Sequence, residues 1–106
     1  IERHRRFLIN NIIHILWVAN KHPHIGVQRA AGQICLGTDF DGLINAIDCC
    51  RQSTGLAQLK NELRAPLQSA LSRAGLPLSA SSLLDGIFYE NGKRFMLNRL
   101  TLMSRL

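Results

Sequence analysis

Two long apolar stripes at helical spacing constrain the fold of this chain more than any other feature. Residues 2–20 contain neither proline nor glycine, and Phe7, Leu8, Ile12, Ile15, Leu16 and Ala19 recur three and four apart, the spacing that lines one face of an α-helix. Ile9, Ile13, Trp17 and Val18 widen the stripe beyond one face, so this helix is expected to be covered on two sides by neighbours. Lys21-His22-Pro23 ends it, because the residue before a proline is driven out of the helical region. The second stripe is Leu56, Leu59, Leu63, Leu67, Leu71 and Ala74. Pro66 falls inside it and lacks an amide donor, which predicts a break or kink with Pro66 opening a second segment. Gly75 reads as a C-terminal cap with Pro77 behind it, and Ser79 as the N-cap of a helix to about residue 90. Asn91-Gly92 is expected to turn the chain into a last short helix over residues 93 to about 102.

Between the stripes, Gln33-Ile34-Cys35-Leu36-Gly37-Thr38-Asp39 is a short apolar run near the glycines Gly32 and Gly42. It reads as a brief strand over about 33–38, apolar on both faces as in parallel sheets. Nothing else in the chain carries a comparable pattern, so the strand lacks evident partners within it. Residues 40 to about 55 read as a loop. There is no internal repeat, low-complexity stretch or linker, and residues 1–106 form a single segment.

At 106 residues, 46% apolar and 19% charged, the composition is that of an ordinary globular domain. That length excludes a two-domain enzyme and falls short of the roughly 200 residues or more that a complete (β/α)8 barrel takes. Thirteen Lys and Arg against seven Asp and Glu give a net charge of +6, which raises the question of a polyanionic partner. The basic residues are scattered, however, with Arg3, Arg5 and Arg6 at one end and Lys93, Arg94, Arg99 and Arg105 at the other. A nucleic-acid module would group them with aromatics or on one recognition helix, and nucleic-acid binding is therefore a distant alternative.

Cys35, Cys49 and Cys50 form no C-x-x-C pair, which points away from a disulfide framework or a zinc ribbon and favours reduced thiols and a cytoplasmic setting. A bond between the adjacent Cys49 and Cys50 would be strained. The longest apolar stretch, residues 12–19, is interrupted by His14 and falls far short of the roughly 20 residues a membrane span requires. The start, Ile1-Glu2-Arg3-His4-Arg5-Arg6-Phe7, carries neither an initiator methionine nor a signal-peptide pattern; the chain is expected to begin inside a longer protein.

The densest chemical signal is Gly37-Thr38-Asp39-Phe40-Asp41-Gly42, two carboxylates two residues apart where the expected strand runs into a glycine-flexible loop. In parallel α/β folds catalytic groups sit at the carboxyl ends of strands, where side chains leave a rigid scaffold and face a cleft. A calcium loop does not fit, since Leu43 and Ile44 stand where further oxygen ligands belong. On the residues alone, an Asp-rich turn capping nearby amides is the better reading. His22 and His24 with Cys35 make a weak zinc set. The His-Pro-His stretch reads as an exposed loop, and His14 as a core or partner-facing imidazole.

The run Ile34-Cys35-Leu36-Gly37-Thr38-Asp39-Phe40-Asp41-Gly42-Leu43-Ile44-Asn45 resembles the segment around the eighth barrel strand of the membrane (renal) dipeptidase family, metal-dependent hydrolases of the amidohydrolase superfamily, where a Gly-Ser/Thr-Asp-Phe-Asp-Gly run is characteristic. The first helix looks like the barrel's seventh, and the Leu-rich segment is similar to its eighth. Gly86-Ile87-Phe88-Tyr89-Glu90-Asn91-Gly92-Lys93-Arg94-Phe95-Met96 resembles the closing Gly-Gly-Asn-x-x-Arg-Val element. Asn91 and Arg94 keep its spacing, while Tyr89 and Glu90 replace its two glycines.

The resemblance implies an α/β fold, the C-terminal portion of a (β/α)8 TIM barrel, mostly helical here with one short strand. It implies hydrolysis of a peptide or amide bond by water activated on one or two zinc ions. Asp39 matches the family's acid at the metal centre, which moves a proton from the attacking water to the leaving nitrogen and is placed to touch the metal. Asp41, with Thr38 and Gly42, would fix the loop or brace that acid from behind. The remaining ligands, an early His-x-Asp, a bridging Glu and two later His, lie upstream in the family and are absent from this chain. The implied partners are the remainder of the barrel or another copy of the chain, with a small peptide as substrate. The alternative is a non-catalytic helical interaction module, which explains the excess apolar surface and gives Asp39 no role.

Overall fold

The computed structural model describes residues 2–38 and 50–105. Helix α1 (Glu2–Asn20) is followed by the short α2 (Val27–Ala31), a 3-10 turn (Ser53–Gly55), α3 (Leu56–Arg73), α4 (Ala80–Asp85), a π-helical turn (Gly86–Glu90) and α5 (Asn91–Ser104). No strand occurs among the described residues. The expected α/β class, with a strand over 33–38 as part of a TIM barrel, is therefore corrected: this is an all-helical arrangement, and residues 34–38 run as irregular backbone. The physical reason was already visible in the lone pattern, since one strand without a neighbour leaves its amides and carbonyls unpaired and gains nothing over coil.

The core lies where α1, α3 and α4 meet. Ile9, Ile12 and Leu16 of α1 are buried in one cluster with Leu59, Leu63, Leu67 and Leu71 of α3. These are i, i+3 and i+4 positions, so each helix presents one continuous ridge to the other. Burying each leucine contributes about 1.5–3 kcal/mol, which makes the α3 row the main source of stability. The buried face of α1 is rotated from the expected one: Ile9 is inside, whereas Phe7 and Ile15 are exposed along with Trp17 and Val18. An Arg5–Glu62 ion pair of 2.7 Å joins α1 to α3, and Lys60–Asp85 joins α3 to α4 at 2.5 Å.

The expected end signals of α3 and α4 act as their chemistry dictates. Gly75 has φ +68°, the Leu76 amide donates to the Leu71 carbonyl at 3.0 Å, and the Gly75 amide donates to Ser72 at 3.1 Å. This is a Schellman ending, closed by the buried Leu76. Ser79 Oγ accepts from the Ser82 amide at 3.4 Å, and Gln68 on α3 accepts the Ala80 amide at 2.9 Å, so two side chains satisfy the first amides of α4.

Two local expectations fail. Helix α3 runs unbroken through Pro66. Pro66 is itself exposed, while Leu63 and Leu67, one turn before it and next to it, are buried and hold the helix in the core across the missing bond. Pro66→Ala should therefore raise stability by about 1–2 kcal/mol, the restored amide bond outweighing the added freedom of the unfolded chain. Urea denaturation would read this gain, and a lower midpoint would show that the proline ring itself contributes to the packing. Second, Asn91-Gly92 does not turn the chain: α4 passes through the π turn straight into α5, with the Asn91 amide donating to Gly86.

Candidate functional site

At that junction lies the Asn91 side chain, the one buried polar residue of the described core, with only 6% of its surface exposed. Its Nδ2 donates to the Ala31 carbonyl at 2.9 Å and to the Ile34 carbonyl at 2.8 Å. One turn further along α5, Arg94 Nη2 donates to the Gly32 carbonyl at 2.9 Å and to Asn91 Oδ1 at 2.9 Å. Two side chains on adjacent turns of α5 thus hold three carbonyls at the end of α2 and the start of the irregular segment. A helix end with orphan carbonyls needs such partners, and here they come from the far end of the chain.

Two glycines admit this arrangement. A Cβ on Gly86 would lie 3.0 Å from both Nδ2 and Oδ1 of Asn91, and one on Gly32 would lie 3.2 Å from Arg94 Nη2. Gly86→Ala is expected to cost about 1–3 kcal/mol by forcing the buried amide off its carbonyls. An unshifted denaturation midpoint in that variant would show that Asn91 can move aside at no cost.

The segment held in this way leads to the sequence-predicted site. Thr38 is half-buried and, with Leu36 and Gly37, lines a small apolar cavity against Leu8, Cys50 and Leu59. Asp39, Asp41 and Gly42 lie outside the described residues, as does Cys49. Cys50 is a buried thiol donating to the Gln52 carbonyl at 3.4 Å, whereas Cys35 is exposed.

The histidines do not form a metal centre in the described structure. The His22 and His24 rings meet edge to face at 5.9 Å, yet no group of three or more His, Cys, Asp or Glu side chains that could hold a metal comes together among the described residues. The weak His22, His24 and Cys35 set is therefore not assembled. The described residues do not by themselves fit a zinc ion, and no catalytic step is derived through one. His14 is exposed and stacked on Trp17, with ring centroids 6.5 Å apart, so it is not a core imidazole.

Helix α5 has a second distinctive property. From Lys93 to Arg105 every residue is exposed, including Phe95, Met96, Leu97, Leu100, Leu102 and Met103. Beyond its first turn, this helix stands clear of the body. Among the described residues, no helix is long and apolar enough to cross a membrane.

Comparison with family models, with curated proteins and with solved structures finds no match to this chain. The functional reading therefore rests on its own residues and their geometry.

Proposed function

We propose that this chain is part of a metal-dependent hydrolase of peptide or amide bonds, of the kind the membrane dipeptidase resemblance implies, with Asp39 as its acid/base. The observation that supports the reading is that two segments resembling the same family, the second with Tyr89 and Glu90 in place of two glycines, lie close to each other in the fold. Asn91 and Arg94, the Asn-x-x-Arg pair, bind the backbone at Ala31, Gly32 and Ile34, immediately before Gly37-Thr38-Asp39-Phe40-Asp41-Gly42. A side-chain clamp on the approach to an acidic loop is what a proton-transferring carboxylate requires, because such a group must be held within hydrogen-bond reach of its target.

In this reading the zinc ions would be held by ligands outside this chain, with Asp39 as the one candidate ligand within it. The substrate is a small peptide, and Asp41, Thr38 and Gly42 keep the acidic loop in shape. The test is turnover of alanyl-alanine by the zinc-loaded full-length protein carrying this segment, with and without Asp39→Asn. Loss of turnover in a folded variant supports the reading, and unchanged turnover sinks it.

A second reading, a non-catalytic helical interaction module, is favoured by the bare apolar length of α5, since exposed apolar surface of this extent marks a contact with another body. It assigns Asp39 no role, so the same substitution separates the two.

A further inference from the structure

We propose that α5 docks on the surface of an anionic phospholipid bilayer, lying flat with Met96, Leu100 and Met103 buried at the level of the acyl chains. The proposal is independent of the hydrolase reading and involves neither Asp39 nor a metal. It starts from the way α5 is turned. At 3.6 residues per turn, Asn91, Arg94, Asn98, Thr101 and Arg105 fall on one side of the helix. Over the first two turns that side faces the chain's own body: Asn91 and Arg94 bond the carbonyls of Ala31, Gly32 and Ile34, and Asn98 lines a concavity with Gly32, Gln33 and Cys35. The opposite side is the row Met96, Leu100 and Met103, exposed by 61%, 57% and 67%. An ordinary surface helix turns its apolar side to the core and its polar side to water. Helix α5 is turned the other way, and the hydrogen bonds of the buried Asn91 fix it there.

Charge decides what covers this row. Residues 91–106 contain Lys93, Arg94, Arg99 and Arg105 and no carboxylate. Lys93 and Arg99, three residues before and three after Met96, stand on either side of the row. Each also lies against an exposed ring, Lys93 Nζ at 5.4 Å from the centroid of Tyr89 and Arg99 Cζ at 5.1 Å from that of Phe95. Cations that border an apolar row lay their stems along it and raise their heads to the phosphates, which is the layout of a helix lying in a lipid interface. Its 14 residues make a rod of about 21 Å, long enough to lie on a bilayer without crossing it.

Other occupants fit less well. A second copy meeting this row would bring the cations of both helices together with no acid between them. A nucleic acid would meet the cations but gain nothing from Met96, Leu100 and Met103, since bases stack on aromatic rings. A protein groove covers one stripe of a helix, whereas Phe95 and Leu102 on one shoulder and Leu97 on the other carry the exposed apolar positions around more than half of the circumference.

The full 106-residue chain should co-sediment with vesicles of phosphatidylcholine and phosphatidylglycerol in equal parts, with a partition about tenfold or more above that into phosphatidylcholine alone, since each cation near an anionic leaflet contributes about fivefold. Added salt should shrink that preference. Leu100→Gln with Met103→Gln keeps the charge and should cut partition into the mixed vesicles about tenfold or more. Lys93→Gln with Arg99→Gln keeps the apolar row and should reduce the preference for the mixed vesicles about tenfold. All four residues are exposed, so the urea midpoint should stay where it is in both double variants; a lowered midpoint would show the row packed on the body and overturn the proposal. Absence of partition, equal partition into the two kinds of vesicle, or partition that either double variant leaves unchanged overturns it as well. So does a dimer formed without lipid that Leu100→Gln with Met103→Gln dissolves, which would make a second copy the occupant.

Discussion

Leu67→Ala is expected to remove about 2–5 kcal/mol of stability, a large fraction of what holds a domain of this size together. Leu67 is 0% exposed and sits between Leu63 and Leu71 in the row that faces α1 and α4. Truncation takes away the transfer free energy of three carbon atoms and leaves a cavity that two helices braced by ion pairs can only partly close. Against a total stability of about 5–15 kcal/mol for a domain, the loss lowers the melting temperature by about 10–25 °C. Urea denaturation should show a lower midpoint with an unchanged slope. Phe95→Ala, at an exposed apolar position of α5, should move it by about 0.5 kcal/mol or less. Equal effects at the two sites would mean that α5 is packed in solution and that the core is not where these contacts place it.

On the proposed hydrolase reading, Asp39→Asn is expected to lower turnover of the zinc-loaded protein that carries this segment by about 10²–10⁴-fold, the range that a positioned acid/base contributes. The substitution keeps the size and shape of the side chain and removes its ability to carry a proton or a negative charge. Helical content and the denaturation midpoint should be unchanged, because the core formed by Leu16, Leu59, Leu63, Leu67, Leu71 and Leu84 is left intact. Asp41→Asn should cost less, about 10–100-fold, if its carboxylate braces the loop rather than transferring the proton. A deficit of the same size at both positions would give the two acids one shared role, and full turnover in both variants would leave the interaction module as the surviving reading.

The helices were legible to the degree that their causes are local. The stripes over residues 2–20 and 56–74 predicted α1 and α3, whose observed bounds are Glu2–Asn20 and Leu56–Arg73. Gly75 and Ser79 act within three to five residues of the groups they satisfy, and such chemistry can be read from spacing alone. Pro66 misled because its local penalty is outweighed by the burial of its helix neighbours Leu63 and Leu67. The stripe of α1 was read one position off in places because apolar residues surround the helix, and only a partner decides which of them faces inward.

The candidate site was legible in composition and hidden in arrangement. Asn91 and Arg94 were recognisable as a spaced pair, but Asn91-Gly92 also has the form of a turn, and nothing nearby says that its amide will be buried. Its hydrogen bonds reach 57 and 60 residues back, and that of Arg94 to Gly32 reaches 62. The apparent strand at 33–38 misled for the complementary reason: its apolar residues are real, but a strand is a property of a pair of segments.

The sequence by itself carried no sign of the short α2, but it determined the two long helical stretches α1 and α3, where α3 ends and α4 begins, and that Asp39 and Asp41 stand together after a short apolar run. Each of these follows from interactions that span a few residues and depend on side-chain type and spacing. Only the tertiary structure decided that the apolar run finds no strand to pair with among the described residues, that a buried asparagine from the start of α5 bonds the carbonyls at its start instead, and that the rest of α5 stands uncovered. Those outcomes depend on which distant segments meet, and a hydrogen bond closing a loop of about sixty residues leaves no periodicity by which it could be foreseen.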